Sequence, residues 1–204
     1  SLLGASVFHD IFVITLKIPN VFRRFFAEGA FNQAFIPIYS DYQKNKNEGQ
    51  TRDFLNSLAG FLITFLFFFT IIVLIFAPIF IFIFAPGFYF DPIKKDLSVE
   101  VLRIMFPYLA LISLVAFAGG IQNSHARFSL PAFTPIVFNL CLIIAALLIA
   151  PKYNMPIFVL AWGVLLAGFL QLLIQFFPLF TLNRLPRPTL NFKNSGLKKF
   201  SVLI

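Results

Sequence analysis

Four long stretches of the chain carry no charged residue: 54–90, 104–126, 128–151 and 153–183. Each exceeds the roughly 20 residues that an α-helix needs to cross the hydrocarbon core of a bilayer. The run FLITFLFFFTIIVLIFAPIFIFIF, from Phe61 to Phe84, shows none of the apolar–polar alternation of a membrane β-strand. Helices therefore remain as the way to satisfy the backbone in lipid. The pattern predicts helices near 53–84, 97–123, 132–150 and 156–181. A fifth, near 7–42, precedes them and contains Pro19 and Pro37, each of which removes a backbone donor and bends a helix. The fold class that follows is all-α, a polytopic transmembrane helix bundle.

The first of these segments breaks the pattern. In KIPNVFRRFFAEGAFNQAFIP, residues 17–37, four charges (Lys17, Arg23, Arg24 and Glu28) sit among phenylalanines. Asp10, Lys17 and Arg24 are seven apart, Glu28 lies four beyond Arg24, and Asn20 and Asn32 flank the same line. On a helix they make one polar stripe, with Arg23 pointing away from it unless a bend after Pro19 turns the register. A central Lys or Arg costs about 2.5–3.5 kcal/mol on insertion scales, so the stripe must face a polar partner or water. In one reading Arg24 and Glu28 neutralise each other as an (i, i+4) pair while Lys17 snorkels to an interface. In the other, the stripe is the cationic wall of a hydrated cavity for an anionic substrate. Arginine suits that role because its planar fork donates two hydrogen bonds to phosphate.

Composition narrows the class. With 59% hydrophobic residues, 12% charged residues and a mean hydropathy of +0.89, the chain is not a water-soluble globule. Its net charge of +8 raises the question of a nucleic-acid partner, but the basic residues follow topology. Lys44, Lys46, Arg52, Arg127, Arg184, Arg187, Lys193, Lys198 and Lys199 fall in connections on one side, against Lys94, Lys95, Arg103 and Lys152 on the other. The richer side is cytoplasmic by the positive-inside rule, and anionic membrane lipids are partner enough for it, so no nucleic acid is expected. The first helix then runs inward from outside, which implies a further helix before it if the amino terminus is cytoplasmic. The opening SLLGAS lacks an initiator Met and the closing KKFSVLI starts an apolar run, so both ends read as cuts.

Other chemistry is sparse. Cys141 is the single cysteine, cannot form an intrachain disulfide, and reads as inert packing. His125 has only His9 as a companion, which is no metal set. Gly119 and Gly120 read as close helix packing. Paired carboxylates, a Gly-rich phosphate loop and a Ser-His-Asp arrangement are all missing from the sequence, so an enzyme is not expected and no cofactor is implied.

Two segments carry a resemblance: KIPNVFRRFFAEGAFNQAFIPIYSDY from Lys17 to Tyr42, and FPYLALISLVAFAGGIQNSHARFSLPAFTPIVFNL from Phe106 to Leu140. Together with APGF at Ala85–Phe88 and LAWGVLLAGFLQLLIQ at Leu160–Gln175, the chain resembles the MurJ (MviN) lipid II flippases of bacteria. The resemblance implies an inner-membrane protein of about fourteen helices in two lobes, related to multidrug and oligosaccharide exporters. Such proteins move the undecaprenyl-diphosphate-linked peptidoglycan precursor outward by alternating access, for cell wall synthesis. Residues 1–182 would be part of the N-terminal lobe, its second to sixth helices, and residues 183–204 a basic cytoplasmic connection and the start of the seventh. The family's RRxFAEGAF motif would place Arg23, Arg24 and Glu28 on the cavity-lining second helix, with Asp10 at its outer end and Lys17 at a basic position. Lipid II is the implied partner, with wall-synthesis proteins as a further class. Two alternatives stay open: a flippase or exporter of another polyprenyl-linked glycan or of drugs, and a structural membrane protein with an intramembrane ion network.

Overall fold

A computed structural model describes residues 7–24 and 30–203, and all its elements are helical. The first predicted helix appears as α1 (Val7–Arg23) and α2 (Ala30–Asn45). Residues 25–29, Glu28 included, lie outside the described residues, as does the side chain of Asn32.

The next two predicted helices are each broken, and proline explains both breaks. α3 (Glu48–Ile75) and α4 (Ala77–Phe84) meet at a bend at Phe76. Pro78 has no N–H for the Leu74 carbonyl one turn back, so the bend falls where that helical bond is missing. In the same way α6 (Pro92–Met105) and α7 (Tyr108–Asn123) are separated at Phe106 and Pro107. Between them lies the single turn α5 (Pro86–Tyr89). α3 starts earlier than predicted because Asn47 caps it: its Oδ1 accepts from Gln50 N at 2.8 Å, and the Gln50 side chain accepts from Asn47 N. That is a capping box. α8 (Ser129–Ile144) continues through a π-helical turn to Ile149 and a 3-10 turn to Lys152, whereas α9 (Pro156–Thr181) occupies the predicted range. Four helical stretches, Glu48–Ile75, Pro92–Asn123, Ser129–Lys152 and Pro156–Thr181, are long and apolar enough to cross a membrane. The chain is a multi-pass membrane protein.

α7 is the centre of the bundle, in contact with α1, α2, α3, α8 and α9. In lipid, helices associate through close packing and polar stitches rather than through escape from water. Both devices are present. A Cβ on Gly163 of α9 would stand 2.9 Å from that of Ala145, and one on Gly168 2.7 Å from the Tyr108 ring. The buried side chain of Gln122 (α7) donates to Gln175 (α9), which donates to Thr134 Oγ1 (α8) at 3.1 Å, while Gln171 donates to the Thr134 carbonyl at 2.8 Å. Three helices are thus joined through four polar side chains.

The basic connections converge at one end. Arg52 Nη2 donates to Asn183 Oδ1 at 2.9 Å, Arg127 to Thr181 Oγ1 at 3.0 Å, and Arg184 pairs with Glu48 at 3.1 Å. His125 is tied there too, to the Ile121 carbonyl and to Gln43, so its role is structural. α10 (Ser195–Leu203) docks on α2 and α3 by burying Leu197 and Phe200.

The opposite end has its own cap. Asp91 accepts from the Ile93 and Lys94 amides at 3.1 and 3.2 Å, and these bonds, led by the one from Lys94, lower its carboxyl pKa. A carboxylate held low in the folded state contributes stability above its unfolded pKa and loses it as pH falls through the folded value. We expect Asp91→Ala to fray the first turn of α6 at neutral pH, read as faster amide exchange at Ile93 and Lys94. The wild type should converge on the variant only below the usual carboxylate range.

Candidate functional site

α1 has two unlike faces. Ile11, Thr15, Ile18 and Pro19 are buried against the bundle, where Thr15 turns its hydroxyl back to the Ile11 carbonyl at 2.7 Å and towards Met105. The other face carries His9, Asp10, Lys17, Val21 and Arg24, all exposed, with Asn20 half-buried at its edge. The spacing of Asp10, Lys17 and Arg24 thus lies on one accessible strip, about 21 Å long at 1.5 Å per residue. Among the described residues none of these three forms a salt bridge, the ion pairs being Lys94–Asp91 and Arg184–Glu48.

Arg23 departs from the strip. It is half-buried and lines a cleft of about 190 Å³ with Gly119, Gly120, Asn123, Thr134 and Gln175. Gly119 and Gly120, read from the sequence as packing, face this cleft, and a Cβ on Gly119 would stand at ordinary contact distance, 3.6 Å, from Pro131. They also leave the wall of this cleft low. Sequence reasoning missed the cleft and the glutamines beside it; Gln171 and Gln175, one turn apart in an apolar span, were the available signal. Cys141 lies half-buried on a wide apolar groove between α8 and α9.

The cations Lys17 and Arg24 lie in the second half of the strip, about 10 Å apart along the axis, with Arg23 in the adjoining cleft. A family model described as "Lipid II flippase MurJ" matches residues 1–204. The chain belongs to the MurJ lipid II flippase family. It is 44% identical over 197 residues to the "Probable lipid II flippase MurJ" of Buchnera aphidicola subsp. Acyrthosiphon pisum, covering 97% of this chain and 39% of that protein. To the "Lipid II flippase MurJ" of Burkholderia cenocepacia it is 36% identical over 172 residues, 84% of this chain and 33% of the relative. To the "Probable lipid II flippase MurJ" of Vibrio cholerae it is 34% identical over 211 residues, covering 100% of this chain and 40% of that relative. The chain therefore spans about two fifths or less of the length of these MurJ relatives.

Proposed function

We propose that this chain supplies one wall of a lipid II flippase of the bacterial inner membrane, a transporter that turns the undecaprenyl-diphosphate-linked precursor outward by alternating access for cell wall synthesis. The observation that carries the reading is the exposed face of α1 with Lys17 and Arg24, opposite a buried, uncharged face of Ile11, Thr15, Ile18 and Pro19. Charges on an intramembrane face need water or a counter-charge, and a diphosphate supplies the counter-charge while leaving the isoprenoid tail in lipid. In this reading residues 1–182 are part of the N-terminal lobe. Arg24 and Lys17 engage the anionic headgroup, Asn20 and Asn32 add neutral hydrogen bonds, and Arg23 reaches the same space from the neighbouring cleft. Glu28 holds an arginine when the site is empty and releases it to phosphate, and Asp10 marks the outer end of the strip. Substrate can shift the inward–outward balance only if these groups bind it more tightly in one state.

The test is a full-length MurJ flippase whose corresponding segment is replaced by this chain, produced in cells depleted of their own flippase. Restored growth and lipid II reaching the outer leaflet support the reading. Normal abundance in the membrane with lipid II held on the inner leaflet would overturn it.

A further inference from the structure

The residues beside three prolines share one buried cluster. Ile18 beside Pro19 in α1, Ala77 beside Pro78 in α4, and Phe106 beside Pro107 belong to one buried cluster with Val73 and Leu102. Each proline removes a helical hydrogen bond beside this cluster. One side chain links two of the gaps. Pro78 leaves the Leu74 carbonyl without its donor, and Arg103 Nε donates to that carbonyl at 3.1 Å. Arg103 is also the residue whose own carbonyl loses its helical donor to Pro107, four positions on.

Aromatic rings fill this cluster. Phe22, Phe69, Phe80 and Phe106 meet edge-on or tilted, with centroids 5.2 to 6.5 Å apart. On one side of the cluster α4, α5 and α6 pack on one another as a corner, and on the other side run α3 and α7. Tilting the corner at Phe76 and Phe106 would break no α-helical bond that Pro78 or Pro107 has already removed. It would strain the link from Arg103 in α6 to Leu74 in α3.

We propose that this cluster is a hinge on which the α4–α6 corner tilts during the transport cycle, and that Arg103 is its latch. Arg103 is a positioning residue, remote from the stripe. α1 is packed against α4 and α6, and Pro19 divides its charged face between Lys17 and Arg24. Tilting would therefore change the bearing of Asp10 and Lys17 relative to Arg24, which is how the hinge would alter the site. The inference rests on the transport reading above.

Pro78→Ala tests it, because alanine returns the missing N–H to Leu74. In the full-length chimaera we expect this variant to be at least as heat-stable as the parent and to flip lipid II at a tenth of its rate or less. Labelling of an added Val7→Cys by a membrane-impermeant maleimide should change at least threefold. Arg103→Met should lower abundance, and Pro78→Ala in the same chain should restore abundance without restoring flipping. A Pro78→Ala chimaera that flips at the parental rate with unchanged labelling would overturn the hinge and leave Arg103 a static cap. If the parent itself moves no lipid II but labelling still responds to Pro78→Ala, the substrate reading fails and the hinge stands.

Discussion

Arg24→Ala and Arg23→Ala, introduced singly into the full-length chimaera, should each abolish rescue of flippase-depleted cells at normal membrane abundance. A charge-assisted hydrogen bond contributes about 1.5–3 kcal/mol, so losing one cation from a desolvated diphosphate site lowers affinity about ten- to hundredfold. The two variants should then differ in their conservative forms. Arg24 stands on the exposed strip, where Arg24→Lys keeps a point charge and should retain partial function. Arg23 is half-buried in a cleft against α7, α8 and α9, where Arg23→Lys exchanges a planar fork for a point charge and should fail as fully as alanine. Full rescue by both alanine variants would return these charges to an ion network between helices. In that case Arg24→Gln and Arg23→Gln should change heat stability in detergent while lipid II still reaches the outer leaflet.

The four long spans and the shared face of Asp10, Lys17 and Arg24 were legible because both rest on periodicity. Uncharged runs count residues against bilayer thickness, and positions 10, 17 and 24 share a face on any regular helix. The breaks at Phe76 and Phe106 were not drawn, although Pro78 and Pro107 stood in the sequence. A proline inside an apolar run can kink a membrane helix without ending it, and which outcome follows depends on a replacement donor such as Arg103, brought in from another helix. Arg23 was placed off the stripe, which its half-buried position against the cleft matches; that α7, α8 and α9 would meet it there depends on tertiary packing that spacing along one helix does not encode. The same holds for the strap from Leu182 to Asn194. Its composition marks it as a basic connection, yet its path is fixed by partners far away in sequence.

Gly60→Ala is the second large effect, and its sign runs against helix propensity. Alanine in a helix interior is favoured over glycine by about 1 kcal/mol, so an unhindered site would gain stability. At Gly60 of α3 an added Cβ would overlap the Thr189 carbonyl oxygen and stand 2.7 Å from its carbon and 3.0 Å from its nitrogen. These are backbone atoms, so no rotamer relieves the clash and the strap itself must move. The strap is held there by Thr189 N donating to the Asn56 carbonyl at 3.1 Å and Arg187 N to Asn56 Oδ1 at 2.7 Å. Forcing it outward costs about 1–3 kcal/mol of overpacking and loosens the Arg184–Glu48 pair beyond it. It also releases α10, whose Ser195 Oγ lies 3.0 Å from Tyr42 Oη and whose Gly196 leaves no room for a Cβ against Phe54 and Tyr42. We expect trypsin, added from the basic side, to cut after Arg184 and Lys193 at least tenfold faster in Gly60→Ala than in the parent. Gly87→Ala, where an added Cβ meets nothing within 4 Å, should cleave at the parental rate. Equal cleavage of all three proteins would mean that the strap does not depend on its approach to α3, and that α10 is held by Leu197 and Phe200 alone.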